Sequence, residues 1–391
     1  MNPIARLLYI SGYALDGNSG AAEHVREIAF HLANLGWQVT LVGLANDGSS
    51  IFKNKNIPNQ LRVVPVELPR AGSHFGVLSL WRTVAQVTKQ YSFDLAYIRP
   101  ARKTLLAIRW LKWKKIPYVV EVNTKTAAEH QAMGSNPITA TFADWLEKLQ
   151  FSHAAGAFCI TQELAQYVRE RIPQDAPTWI TGNGFCAEIT RLATFEPAPR
   201  EVVGITDQET VVTFLANLQP WHGVDLLLET LLHMPNVRLW VIGDGPEKPK
   251  VQAQASQLGV ESRIHWWGYQ HGDKLQELLS ASDIAICFLA LHRKNMYEAQ
   301  PLKVRHFLGV GLPTIIGYKD TLLNENSPGV FYAQTAEEIA DRIKEIQKQG
   351  NMRSTEYRQQ IRNFALQHLS WAAIAKQTSD ILLEWLNSKQ K

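Results

Sequence analysis

A strand–helix alternation that runs twice along the chain constrains the fold more than any other feature. Leu7–Ser11 is a β-like apolar run, followed by a glycine-bearing loop from Gly12 to Gly20. Val25, Ile28, Ala29 and Leu32 then share one face of a helix over about 21–35, and Gly36 is placed to stop it. Trp37–Gly43 is the next strand. Leu61–Val66, Leu95–Ile98, Tyr118–Val122, Ala157–Ile160 and Thr178–Ile180 continue the series, with helices over 79–91, 104–115 and 140–152. Strands joined by helical crossovers lie parallel, and a parallel sheet needs cover on both faces.

The alternation pauses at Phe195–Arg200, a Pro-rich stretch without periodicity that reads as a linker. It restarts with strands at Thr210–Leu215, Arg238–Ile242, Arg263–Trp267, Ile284–Phe288 and Thr314–Ile316. Helices are read over 224–232, 247–258, 274–279, 302–308 and 336–349. The organisation expected is a first domain over 1–190, a linker over 191–208, a second domain over 209–353 and a helical segment over 354–391. That last segment carries an apolar face of Trp371, Ile374, Ile381, Leu382 and Trp385, expected to pack back toward the first domain. With 391 residues, 46% hydrophobic and 19% charged, the chain can fill two cores. In open α/β sheets ligands bind beyond the carboxyl ends of the strands.

A net charge of +4 is too weak a bias to imply nucleic acid as a partner. Cys159, Cys186 and Cys287 are odd in number and widely spaced, so neither a zinc site nor a disulfide framework is implied, and a reducing, cytoplasmic setting is the simplest expectation. The N-terminal apolar run reads as a buried first strand rather than a signal peptide, and no run suits a membrane span. From Leu95 to Val120 there is no acidic residue, while Arg99, Arg102, Lys103, Arg109, Lys112, Lys114 and Lys115 fall there with Trp110 and Trp113. That stretch suits an anionic membrane surface, which would make the protein peripheral at the inner face, or equally a solvated helix face.

Five pieces of the second half form an ordered series: Asn217–Asp225 (NLQPWHGVD), Ile242–Pro246 (IGDGP), Trp267–Tyr269 (WGY), Ala281–Ile284 (ASDI), and Glu298–Lys303 (EAQPLK) ending at Gly311-Leu312-Pro313. With Asn183-Gly184 and the Gly20 opening of the first half, this series resembles the family 4 retaining glycosyltransferases, also described as glycosyl transferases group 1. The resemblance implies an α/β GT-B fold, two Rossmann-like parallel-sheet domains facing across a cleft, with a C-terminal helix. It implies transfer of a sugar from a nucleoside diphosphate sugar to a glycan, polysaccharide or lipid-linked hydroxyl, with retention of configuration. It implies no cofactor beyond the co-substrate and no metal, and no Asp-x-Asp pair stands in the sequence.

Residue by residue, Glu298 matches the glutamate that contacts the transferred sugar. Pro301, Leu302 and Lys303 open a helix whose free N–H groups and positive dipole end suit a diphosphate, and a lysine in that first turn makes sense opposite an anion. His306 stands where the family has a second glutamate for the ribose hydroxyls; a neutral imidazole offers one donor and one acceptor instead of a charge-assisted pair. Asn217 and His222 replace the family's arginine and lysine, so Lys303 carries much of the phosphate charge. Gly243, Gly245 and Gly20 allow either close ligand approach or simple tight turns, and Tyr269 lies in the donor series. Asn123 stands where many members have histidine and can hold a hydroxyl but cannot act as a base. Glu129 is a candidate for positioning the acceptor or for base chemistry, or is a solvated carboxylate. These departures keep a second reading open, a catalytically weak relative acting as a binding or scaffold subunit.

Overall fold

The computed structural model describes residues 4–17, 19–45, 51–52, 55–67, 73–126 and 136–389. They form two compact units, Met1–Asn183 with Trp371–Lys391, and Gly184–Ser370.

In the first unit the strands are β1 (Arg6–Ala14), β2 (Gln38–Ala45), β3 (Leu61–Glu67), β4 (Leu95–Arg99), β5 (Tyr118–Val122), β6 (Gly156–Cys159) and β7 (Thr178–Ile180). Among the described residues they make one parallel sheet in the order β3-β2-β1-β4-β5-β6-β7, with Leu7 opposite both Val39 and Leu95. Because side chains alternate across a strand, Leu8, Ile10, Val42, Ile98 and Val120 fill one core layer under the helices. The opposite face carries an aromatic row, Tyr9, Tyr97 and Phe158, with neighbouring ring centroids 4.9 and 5.4 Å apart.

The second unit holds β8 (Thr210–Leu215), β9 (Val237–Ile242), β10 (Ile264–Gly268), β11 (Ile284–Cys287), β12 (Thr314–Ile316) and β13 (Val330–Tyr332), in the order β10-β9-β8-β11-β12-β13. Both sheets reverse strand order next to their first strand, between β1 and β4 and between β8 and β11. A doubly wound sheet opens its ligand crevice at such a switch point.

Three sequence expectations need correction. The 191–208 stretch is folded into the second unit: Ala193 N–H donates to Val310 O at 2.7 Å, and 198–202 is a short helix whose buried Arg200 pairs with Asp283 at 3.0 Å. Pro197 and Pro199 sit at its cap and first turn, where a missing N–H costs nothing, so their presence did not mean an unfolded tether. The segment 354–391 is two helices that part company. Thr355–His368 belongs to the second unit, while Trp371–Lys389 returns to the first, where Trp37 Nε1 donates to Ser379 Oγ at 2.8 Å. The break at Leu369–Ser370 contains neither glycine nor proline. Finally, β11 ends at Cys287, because Phe288 adopts a left-handed φ of 42°.

Candidate functional site

Phe288 stands at the end of β11, on the carboxyl side of the switch point. A positive φ is unfavourable for a bulky side chain and is held only where surrounding structure demands it. Three neighbours pack against the Phe288 ring. The imidazole of His222 stacks on the ring, centroids 4.6 Å apart and planes 20° apart. The Lys303 ammonium lies over the same ring at 4.6 Å. The Tyr318 ring packs at 5.9 Å.

The loop after β8 brings His222 there. Pro220–His222 is a single 3-10 turn ended by Gly223 at φ 74°, and Leu289 N–H donates to His222 O at 3.0 Å, locking it to the loop after β11. Arg293 ties the same two loops from outside, donating to Pro220 O at 2.9 Å and pairing with Asp225 at 2.7 Å. The loop after β9 lies beneath. A Cβ on Gly243 would fall 2.0 Å from Ala216 O, and one on Gly245 2.4 Å from Leu218 N. These two glycines therefore let one backbone pack under another and so support the loop that carries Asn217, which is exposed.

Helix Leu302–Val310 starts behind Pro301, with no side chain capping it and no acidic residue in its first turn. Such a start leaves backbone N–H groups and a partial positive charge open to an anion. Lys303 has no carboxylate within ion-pair distance among the described residues, and burial lowers its pKa. His222 Nδ1 is buried without a hydrogen-bond partner. Burial, with the charges of Lys303 and Lys294, pushes the His222 pKa down to about 2, so the ring is neutral at pH 7. His306, one turn along the helix from Lys303, is pushed down to about 4 by burial and is neutral as well. The Tyr318 hydroxyl is also buried without a partner. An ammonium without a carboxylate partner, beside buried polar atoms that lack hydrogen-bond partners, is costly, and an anion at the helix start would offset the cost of the charge.

Glu298 precedes the helix on an extended stretch bridged to Lys319, with its carboxylate 3.2 Å from Lys319 Nζ. Arg305, fully buried in that helix, forks onto Asp320, its Nη2 2.8 Å from Oδ1, and anchors the 317–323 loop. Tyr269 is exposed beyond the edge strand β10, two strands away from β8.

In the first unit, Asn123 follows β5 and its Oδ1 is buried without a hydrogen-bond partner. Gly20 is exposed as the first residue of its helix, behind the Ser19 cap. Glu129 lies outside the described residues. Near the switch point of this sheet stands a buried polar cluster that the sequence reading did not single out. Glu121 sits 2.9 Å from His24 Nε2 and 2.7 Å from Arg99 Nη1, and accepts from the Tyr9 hydroxyl at 3.0 Å. Burial alone would raise its pKa, but His24 and Arg99 outweigh burial and hold it at about 2. The available signal was a lone acid inside the apolar run YVVEV. Phe288 had no signal at all, being one apolar residue among several.

Comparison with known proteins agrees with this architecture. Residues 19–184 match the glycosyl transferase 4-like domain and 196–367 match glycosyl transferases group 1. An uncharacterized glycosyltransferase of Methanocaldococcus jannaschii is 22% identical over 46% of this chain and 47% of its own length. A D-inositol 3-phosphate glycosyltransferase of Segniliparus rotundus is 33% identical over 22% of this chain and 21% of its own length. The chain thus spans about half the length of the first of these curated relatives and less of the second. Among solved structures, sucrose-phosphate synthase of Thermosynechococcus elongatus superposes with a TM-score of 0.71 at 15% identity, over 98% of this chain and 100% of the other. Anabaena HepE, solved in complex with UDP-glucose, gives 0.70 at 17% identity over 97% and 99%. The chain belongs to the group 1, family 4-like glycosyltransferases of the GT-B fold.

Proposed function

We propose that this enzyme moves a sugar from a nucleoside diphosphate sugar to a hydroxyl of a glycan, polysaccharide or lipid-linked acceptor, with retention of configuration and without a metal ion. The observation that carries the donor half is Lys303, a cation without a carboxylate partner among the described residues, over the Phe288 ring at an uncapped helix start. The UDP-glucose in the HepE structure supports the donor class.

In this reading the diphosphate lies against the N–H groups that follow Pro301, at Leu302 and Lys303. Lys303 stabilises the charge that builds on the leaving group, and the helix dipole adds to it. His222 and Asn217 supply neutral hydrogen bonds, and His306 meets the ribose hydroxyls. Gly243 and Gly245 act by shaping the loop beneath Asn217, and Tyr269 serves the donor from the rim. Glu298 orients the sugar. Asn123 and Glu129 serve the acceptor-side face, where holding the attacking hydroxyl in place supplies most of the catalysis, and Gly20 permits close backbone approach to the donor. Retention and metal independence rest on the family resemblance.

The test is a thermal-shift screen of the purified chain across nucleoside diphosphates and their sugars, followed by turnover of whichever donor binds. A donor that raises the melting temperature and is hydrolysed or transferred supports the reading. No shift from any nucleoside diphosphate would sink it. Binding without turnover over long incubation would make the protein a binding subunit.

A further inference from the structure

We propose that one helical face of the first unit docks on an anionic phospholipid surface. The face is built by helices Ser73–Gln90, Leu105–Trp113 and Pro137–Phe151, which pack side by side. It is built of first-unit residues only, and the inference stands on it alone; the lipid-linked form of the proposed acceptor would gain a location from it.

The outer side of Pro137–Phe151 is apolar. Ile138, Phe142, Trp145 and Leu149 recur at spacings of four, three and four, which puts them on one stripe, and all four are exposed, Ile138 by 75% and Trp145 by 52%. The inner side is already filled, with Ala140, Ala143, Leu146 and Phe151 buried. The stripe is therefore surplus to the fold. Phe142 and Trp145 stack on each other with centroids 5.7 Å apart, which presents them as one rigid surface. The neighbouring helix continues the face. Trp113 is 67% exposed and leans on Trp110, and Trp81, Leu106, Arg109, Trp110 and Trp113 line an open notch of about 350 Å³. The two helices are joined where Thr104 Oγ1 donates to Gln150 Oε1 at 2.7 Å and where Arg102 lies over the Phe142 ring at 6.0 Å.

Charge selects the occupant. Arg109 lines this notch, Lys112, Lys114 and Lys115 are exposed at the same helix end, Lys112 with its Nζ 2.5 Å from His153 Nε2, and Lys114 extends over both tryptophans. The two acids of Pro137–Phe151 are turned away: Asp144 is held by Lys148 and Arg171 at 2.8 and 2.9 Å, and Glu147 accepts from the Tyr167 hydroxyl at 2.5 Å. A cationic rim around exposed tryptophans matches the headgroup layer of an anionic leaflet, where indoles settle and each nearby cation adds to binding. A symmetric contact between two copies would set these like charges against each other.

The full chain should sediment with vesicles of phosphatidylcholine mixed with phosphatidylglycerol and stay in solution with phosphatidylcholine alone. Combining Arg109→Glu, Lys112→Glu and Lys114→Glu should weaken binding to the mixed vesicles by about a hundredfold or more. Combining Trp113→Phe and Trp145→Phe should keep binding and reduce quenching by bromine-labelled acyl chains, which places those rings in the interface. Equal binding to both vesicle types, no binding by a preparation that melts cooperatively, or quenching unchanged in the Phe variants would each overturn the proposal. Retention of the wild type by single-stranded RNA but not by anionic vesicles would overturn it too. A donor-induced thermal shift, read in the same preparations without lipid, reports the glycosyl-transfer reading separately, so either can fail while the other stands.

Discussion

The imidazole of His222 and the ring of Phe288 stack at 4.6 Å across the point where the second sheet reverses its strand order. One comes from the loop after β8 and the other from the loop after β11. The stack is what gathers the candidate donor residues, since Lys303 rests on the far partner of that pair.

Replacing Lys303 by alanine removes the half-buried cation and leaves the helix start intact. Donor or nucleoside diphosphate affinity should fall by roughly thirtyfold, about 2 kcal/mol, as expected for one charge-assisted contact. Without ligand the variant should melt no lower than the parent, because an uncompensated charge has been removed. Isothermal titration and thermal melts check the two halves. Unchanged donor affinity would remove Lys303 from the phosphate site.

His222 predicts a pH dependence. Its folded pKa of about 2 lies below the unfolded value of about 6.5, so below pH 6.5 the unfolded chain binds a proton that the folded chain refuses. Its contribution to stability is complete above pH 6.5 and is lost as pH falls toward 2, by about 1.4 kcal/mol per pH unit. His222→Phe keeps the ring stack and removes the titration. Melts of the two proteins between pH 7.5 and 5.5 should diverge toward acid, the parent losing more. Parallel curves would contradict a neutral buried His222.

Gly243→Ala should destabilise the second unit by more than about 2 kcal/mol and abolish the donor-induced thermal shift, because its Cβ would meet Ala216 O at 2.0 Å and its φ is 125°. Gly259→Ala is the control. Its φ is 67°, but the space around it is open, so its cost should be about 1 kcal/mol with donor binding retained. Equal effects would mean that backbone conformation alone, and not the close approach under the Asn217 loop, is what Gly243 serves.

Glu121→Gln should destabilise the first unit by roughly 3–5 kcal/mol, since Arg99 loses its buried counter-charge and His24 its carboxylate partner. The parent's Glu121 also contributes stability that is present above the unfolded pKa, near 4.3, and lost as pH falls through about 2. Urea unfolding at pH 7 and pH 3 measures both effects, and the difference between parent and variant should shrink at the lower pH.

The family and most of the architecture were legible in the residues. Runs such as YVVEV and TVVTFL are continuous apolar strands bounded by helical periodicity, and β5, β7, β8 and β12 fall at the residues expected. This is so because burial on both faces of a parallel sheet leaves a local composition signature. The strand Val330–Tyr332 was not among those read from the sequence, although Thr178–Ile180 and Thr314–Ile316, equally short, were. Pro197 and Pro199 misled because proline disfavours a helix interior but not a helix start.

The sequence alone determined the two alternating halves, the order of the donor motifs and the departures at Asn217, His222 and His306, since these are matters of residue type and local spacing. Tertiary structure decided what surrounds them. It set His222 and Lys303 on one Phe288 ring, made the imidazole neutral by burial and neighbouring charge, turned Gly243 into a packing requirement, and sent the last helix back to the first unit. Those outcomes depend on distances between segments far apart in the chain, and desolvation and close approach exist only once the sheet has brought those segments together.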